Sequence, residues 1–397
     1  MDHDGAPARH DAHVLVIGGG GTGAALAHDL TSRGLRVTLV ERGELTSGTT
    51  GRHHGLLHSG ARYAFADRES AVECIEENRI LRHICPGSFE ENDGLFVGIT
   101  DDDLEFLEPF LEGCAACGIP TQQLTPAEAL RLEPNLNPQL KVAVRIPDAT
   151  VDAMRLPLRF FATAKHNGAQ IWPYMEVTDL VVHDRCVSGV LLHDYVTGKE
   201  GEVAADVVVN ATGPWSEKIA AMAGVEVPIR PSPGVLLALV GRLCNMVVNR
   251  LHKSGDGDIV LPQRGLSVVG TSSWVVDDPD ALDVPEDHVA LMYEEGSKLI
   301  PAVKHAEFRA AWSAARPLIG PRNGADTGRE LSRTFQTFDH QETDGVDGFV
   351  TITGGKGTTL RAMAELCGDV VCKKLGIDEP CTTRDTILLP HTAYYAA

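Results

Sequence analysis

The stretch "HVLVIGGGGTGAALAHDLTSRGLRVTLVER", residues 13–42, constrains this chain more than any other. Residues 14–17 form an uninterrupted apolar run, as a parallel strand buried on both faces requires. Gly18, Gly20 and Gly23 follow as G-x-G-x-x-G. Glycines at that spacing permit a tight turn, close approach of a pyrophosphate, and close helix–strand contact. Residues 22–33 place Ala25, Leu26 and Leu30 on one helical face, and Gly34 supplies the stop. "RVTLVER" is a second strand ending in Glu41, placed to accept hydrogen bonds from ribose hydroxyls, which disfavours a 2′-phosphorylated dinucleotide. The combination predicts a dinucleotide-binding domain.

Two later segments repeat this grammar. "ADVVVNATGPWSEKIAAMAG" and "GFVTITGGKGTTLRAMAELCGDVVCKKLG" each read as strand, glycine turn and helix. Between them lie inserts of mixed character, too long to be simple loops. Helices are expected over 69–84, 102–118, a short stretch capped by Thr125, 152–169 and 286–299. The expected architecture is α/β: a discontinuous, doubly wound Rossmann-like domain from 13–80, 150–224 and 325–390, and a mixed α+β substrate domain from 81–149 and 225–324. Residues 1–12 read as a short disordered lead-in.

A formal charge of −20 argues against nucleic acid as a partner. No apolar run reaches the roughly 18 residues of a membrane span, and the N-terminus lacks the apolar core of a signal peptide. Nine scattered cysteines fit a reducing compartment, so the expected location is cytoplasmic, with a peripheral contact at the inner membrane face left open. Cys114 and Cys117 form a C-x-x-C late in a helix, with no second ligand pair, and read as structural; no metal is expected.

The G-x-G-x-x-G motif does not choose between NAD and FAD. The third segment does: Gly354 and Gly355 open a late helix whose N-terminal dipole suits the negative charge that develops on a reduced flavin. "NATG", with Ala211 and Gly213, fits a backbone passing the adenine half of the same cofactor. FAD is therefore the expected cofactor.

With these motifs the chain resembles the catalytic subunits of the anaerobic, FAD-dependent glycerol-3-phosphate dehydrogenases. The resemblance rests on residues 17–42, "SGTTGRHHGLLHSGARYA", "NATGPWS", "ARPL", "SRTF" and "TITGGKGTTLRAMAE". It implies the D-amino-acid oxidase type of FAD fold. By position it implies Ser47, Gly48, Thr49, Thr50 and Gly51 along the FAD phosphates, with Glu41 and Arg42 also on the cofactor. It implies Arg62 and Tyr63 at the substrate's anionic end, and His58 beside the flavin. Arg316, Arg333 and Lys356, inside matching motifs, complete a candidate pocket. Cations converging there would be costly without an anion, so a phosphate or carboxylate substrate follows.

The implied reaction takes the hydroxyl proton of a secondary alcohol onto a base while a hydride passes to FAD. A base with a pKa near working pH favours histidine. His58, His54 and His252 are candidates in that order; His53 reads as structural. Lys356 or Arg316 would stabilise the developing alkoxide. Against the family pattern, Pro233 stands for a Lys, Val235 for a Ser, Gly357 for a bulky residue and Leu360 for a Tyr. These departures leave open a related polyol phosphate or hydroxy acid.

The family's larger members continue into a further C-terminal domain, so the electron acceptor expected here is a partner protein, a quinone or oxygen. Other readings remain: an FAD-dependent amine or amino-acid oxidase, a flavin-bearing relay protein without its own substrate, or an NAD-dependent dehydrogenase.

Overall fold

The computed structural model describes residues 9–320 and 331–396. Most of the expected lead-in, and the boundary expected at 324/325, lie outside the described residues.

The first motif folds as its pattern dictates. Strand β1 (His13–Ile17) runs into helix α1 (Gly21–Ser32), and strand β2 (Arg36–Glu41) returns parallel to β1. Strands Gln170–Pro173 and Val207–Asn210 flank β2 and β1 in parallel. Phe349–Gly354 adds a further parallel strand, and Phe335–Asp339 closes that edge antiparallel.

Alternation along β1 assigns its two faces. Val14 and Val16 pack with α1 and with helices Arg155–His166 and Leu360–Leu375. Leu15 and Ile17 pack against the antiparallel meander Met175–Ala204 and the short helix Ser216–Met222. The second face of the sheet is thus covered chiefly by strands.

A second sheet has eight strands, in the order Phe308–Ile319, Ile229–Val240, Leu266–Gly270, Ile259–Gln263, Val247–Arg250, Gly94–Gly98, Val142–Ile146 and Gln122–Leu124. It joins the two inserts through one parallel pairing, Val247–Arg250 with Gly94–Gly98. Helix Glu286–Leu299 packs on one face of this sheet.

The helix expected over 102–118 divides into Asp101–Glu105 and Leu107–Ala116. Pro109 lacks the N–H for a bond to Glu105, and its ring crowds that carbonyl, so the helix restarts. Cys114 and Cys117 lie in a hydrophobic cluster, and burial pushes the Cys114 thiol up to about 12, against any thiolate role. Among the described residues no cluster of His, Cys, Asp and Glu could hold a metal.

Helix Arg68–Ile84 is tied to Leu360–Leu375 by a buried ion pair. Arg361 is fully buried; its Nε donates to Glu77 Oε2 at 2.9 Å and its Nη1 to Glu365 Oε2 at 2.6 Å. Removing one partner leaves the other charge buried. Arg361→Met is therefore expected to cost about 3–5 kcal/mol in chemical denaturation, and adding Glu77→Leu to recover most of that loss.

Candidate active site

The carboxyl ends of β1, β2, Val207–Asn210 and Phe349–Gly354 open into one cleft of about 610 Å³, roofed by the eight-stranded sheet. Ligands of open α/β sheets bind at this end of the strands. Of the expected residues, Gly18, Gly20, Glu41, Arg42, Ser47, Thr49, Thr50, His54, His58, Arg62, Tyr63, Ala211, Gly213, Arg316, Arg333, Gly354, Gly355 and Lys356 all line it.

The cofactor half is shaped by absent side chains. Gly18 has φ +112°, and a Cβ there would lie 2.7 Å from the Ala211 carbonyl oxygen. A Cβ on Gly23 would meet the Gly18 carbonyl at 1.9 Å, so Gly23 sits behind the turn and lets α1 close on β1. The first turn of α1 carries no acidic residue, and its N-terminus faces the cleft, as an anionic pyrophosphate requires. Thr50 Oγ1 accepts from the Gly21 N–H at 2.9 Å. Glu41 is held by the N–H groups of Gly19 (2.7 Å) and Gly43 (2.9 Å), which fixes a carboxylate for ribose hydroxyls. This cradle and donor set fit a dinucleotide.

Two expected cofactor contacts are otherwise engaged. Gly51 is absent from the cleft wall; its N–H donates to the Thr46 carbonyl and it shapes the turn. The Thr49 hydroxyl donates to the Ala315 carbonyl at 2.7 Å, tying the loop to the upper sheet. At the rim Arg42 donates to Asp280 and lies 4.8 Å over the Trp215 ring, while Trp215 Nε1 donates to the same carboxylate at 2.7 Å.

The other half gathers the cations. Lys356 donates to the Arg333 carbonyl at 2.7 Å, approaches Glu73 at 3.4 Å, and lies 5.2 Å from the Tyr63 ring centre. Arg316 donates to the carbonyls of Ser232, Pro233 and Ser272 and to the Thr271 hydroxyl. A Cβ on Gly234 would lie 2.5 Å from Arg316 Nη2, so only glycine leaves room for that guanidinium. Arg62 pairs with Asp258 at 2.5 Å.

The histidines differ in what they offer. His54 Nδ1 accepts from the Leu56 N–H at 3.1 Å and His53 Nδ1 from the Gly55 N–H at 2.9 Å. Each neutral ring therefore carries its proton on Nε2 and is a donor, not a base. His252 lies outside the cleft wall, its Nε2 3.2 Å from Asp258. His58 lines the cleft, and no described residue hydrogen bonds either of its ring nitrogens. Its aromatic neighbours are His54, with ring centres 5.7 Å apart, and Tyr63, at 5.5 Å.

Burial first, and then the Arg62 and Lys356 cations, push His58 from its ordinary 6.5 down to about 3. Burial likewise takes His53 to about 4. In the ligand-free cleft both rings are held neutral chiefly by burial, and at His58 the cations that would hold an anion add to it.

The departures at 233, 235, 357 and 360 also resolve. Val235 is fully buried in the core beneath the second sheet, and Pro233 is not on the cleft wall; Gly234 and Leu236 face the cleft instead. Leu360 packs in the main core at the start of α1, 3.6 Å from a Cβ built on Gly21, and also lines the cleft. Only Gly357 borders the histidines, where a Cβ would come 3.3 Å from His53 Nε2.

Sequence reasoning missed Asp258, Glu73 and Asp280, the carboxylates that hold the cleft's cations. Each lies in an unremarkable stretch and meets its partner across 196, 283 and 238 positions, so no local signal marks it.

A family model described as "FAD dependent oxidoreductase" (DAO) matches residues 13–369. The chain is 46% identical over 384 residues to one subunit of the anaerobic glycerol-3-phosphate dehydrogenase of Haloferax volcanii, covering 94% of this chain and 65% of that protein. It is 44% identical over 377 residues to the like-named subunit of the Escherichia coli enzyme, covering 94% and 69%. The chain thus spans about two thirds of the length of these curated relatives. The Bacillus halodurans glycerol-3-phosphate dehydrogenase complexed with FAD superposes with a TM-score of 0.73 at 24% identity, covering 97% of this chain and 69% of that one, which shows the shared fold.

Two outcomes follow from this geometry. Gly23→Ala is expected to yield protein that purifies without flavin absorbance, because the helix cannot close on the turn. Below about pH 6.5 the unfolded chain takes up protons that His53 and His58 refuse when folded, so stability is full above that pH and falls towards pH 4. Thermal melts of ligand-free protein are expected to show that fall, and His58→Gln to reduce it.

Proposed function

This chain belongs to the FAD dependent oxidoreductase family, and on that basis we propose that it oxidises the secondary alcohol of sn-glycerol 3-phosphate or a related polyol phosphate. It is an oxidoreductase and FAD is its cofactor. The observation that carries the substrate reading is that Arg62, Arg316, Arg333 and Lys356 line one cleft together with a neutral His58. Guanidinium forks and an ammonium group match a phosphate's charge and its several acceptor oxygens.

FAD, when bound, supplies a two-electron acceptor for the hydride released from the carbinol carbon. Gly18, Gly20, Gly21, Glu41, Ser47 and Thr50 would hold its dinucleotide portion, and the Gly354–Gly357 loop would border its reactive ring. The chain's own residues do the rest. Arg62 and Lys356 neutralise the phosphate and fix the orientation of the carbinol. His58 takes the hydroxyl proton on a ring nitrogen as the carbonyl forms. An anion seated between Arg62 and Lys356 offsets the two charges that depress His58, so substrate binding itself strengthens the base. His54, with its proton on Nε2, is a donor for the substrate oxygen. Arg316, which also lines the cleft, adds positive potential where alkoxide character develops.

Electrons leave by way of a partner protein, a quinone or oxygen. The partner-protein route is favoured by the names of the relatives, which are subunits of larger enzymes. No helix among the described residues is long and apolar enough to cross a membrane.

Anaerobic titration with sn-glycerol 3-phosphate tests the reading. Bleaching of the flavin band is the expected outcome; a yellow protein bleached by amino acids instead would replace it with the amine-oxidase reading. His58→Gln is expected to lower kcat by about 10²–10⁴-fold with KM within a few fold. Near-normal kcat in that variant would remove His58 as the base.

A further inference from the structure

The substrate wall has a support behind it that the reaction scheme does not use. Arg62 lies on the short turn Ala61–Tyr63 and reaches the cleft with little exposure. Its Nη2 donates to Asp258 Oδ1 at 2.5 Å and to the Gly255 carbonyl at 3.2 Å. Asp258 is 2% exposed, immediately before strand Ile259–Gln263 of the eight-stranded sheet. Its other oxygen accepts from the Gly255 N–H at 2.8 Å and lies 3.2 Å from His252 Nε2. The carboxylate itself is absent from the cleft wall, whereas Arg62, Ser254 and Ile259 line it.

A buried carboxylate is tolerated only when paired and hydrogen bonded, and here both oxygens are occupied. The pair joins a loop of the cofactor half to the upper sheet, across 196 positions. It engages the guanidinium through Nη2 alone, leaving the Nε and Nη1 donors outside the pair. A guanidinium is a rigid planar fork, so fixing one nitrogen fixes the plane of the others.

Resting on the anionic-substrate reading above, we propose that Asp258 is a positioning residue that clamps Arg62 from behind and aims its remaining donors at the substrate phosphate. Glu73 does less for Lys356: it is more exposed and stands 3.4 Å away. A clamp of this kind acts on binding, because it orders the anion site before the substrate arrives.

The experiment uses the FAD-loaded protein, with Asp258→Asn, Arg62→Gln and the double variant. Rapid-mixing reduction by sn-glycerol 3-phosphate gives the apparent Kd and the limiting rate, and inorganic phosphate binding by calorimetry probes the anion site without turnover. Asp258→Asn is expected to weaken both affinities at least about tenfold while the limiting rate stays within about threefold. In the Arg62→Gln background the same change is expected to cost less than about twofold, since the clamp then has nothing to hold.

Unchanged affinities in Asp258→Asn, with only the melting temperature lowered, would overturn the proposal, as would additive effects in the double variant. If Asp258→Asn does not fold, Arg62→Lys decides. An ammonium lacks the planar fork and cannot serve carboxylate and phosphate alike, so phosphate affinity is expected to fall at least about tenfold. Wild-type affinity in Arg62→Lys would overturn the clamp. A wild-type protein that binds phosphate but is not reduced by sn-glycerol 3-phosphate would count against the substrate reading, while the phosphate data still judge Asp258.

Discussion

Like charges gathered in one partly buried cleft are the constraint around which this structure is organised. Arg62, Arg316, Arg333 and Lys356 come from four separate stretches of chain and line one cleft. Their mutual repulsion, in surroundings that screen poorly, must be offset. Asp258 and Glu73 offset part of it, as do the carbonyls and hydroxyls around Arg316. The rest shows in the histidines: His58 stays neutral because a further positive charge there would be costly. An anionic ligand relieves the same conflict, which links recognition to proton transfer.

The fold supplies this cleft by setting two sheets of different kinds against each other. The parallel sheet offers the carboxyl ends of its strands, where glycines at 18 and 23 let α1 sit tightly enough to present its N-terminus. The eight-stranded sheet offers side chains at alternate positions, and Gly234 and Leu236 face the cleft while Val235 faces the core. Arg316 can lie across that sheet because position 234 has no side chain. The Arg361–Glu77 pair then fixes the helix that follows the Lys356 loop against the helix that carries Glu73.

Residue type alone does not separate His54, His58 and His252 as bases. Backbone hydrogen bonds separate them. Donation from the Leu56 N–H into His54 Nδ1 decides that ring's tautomer, and placement behind Asp258 removes His252 from the wall. Such distinctions depend on which N–H groups a turn presents, and residue type carries no information about that.

The sequence alone determined the elements whose cause is local. The apolar run at 14–17, the glycine spacing after it and the acidic end of β2 dictate a dinucleotide cradle, because turn geometry and strand burial act over a few residues. The capped helix after Thr125 and the helix over 286–299 were legible for the same reason. Segments carrying Arg62, Arg316, Arg333 and Lys356 could be singled out by resemblance, yet their convergence could not be derived from spacing. Only the tertiary structure decided that Val235 is a core residue, that Leu360 packs between core and cleft, that Gly51 shapes a turn, and that Asp258 stands behind Arg62. Those facts rest on contacts between residues far apart in sequence, where packing and paired charge outweigh any local preference.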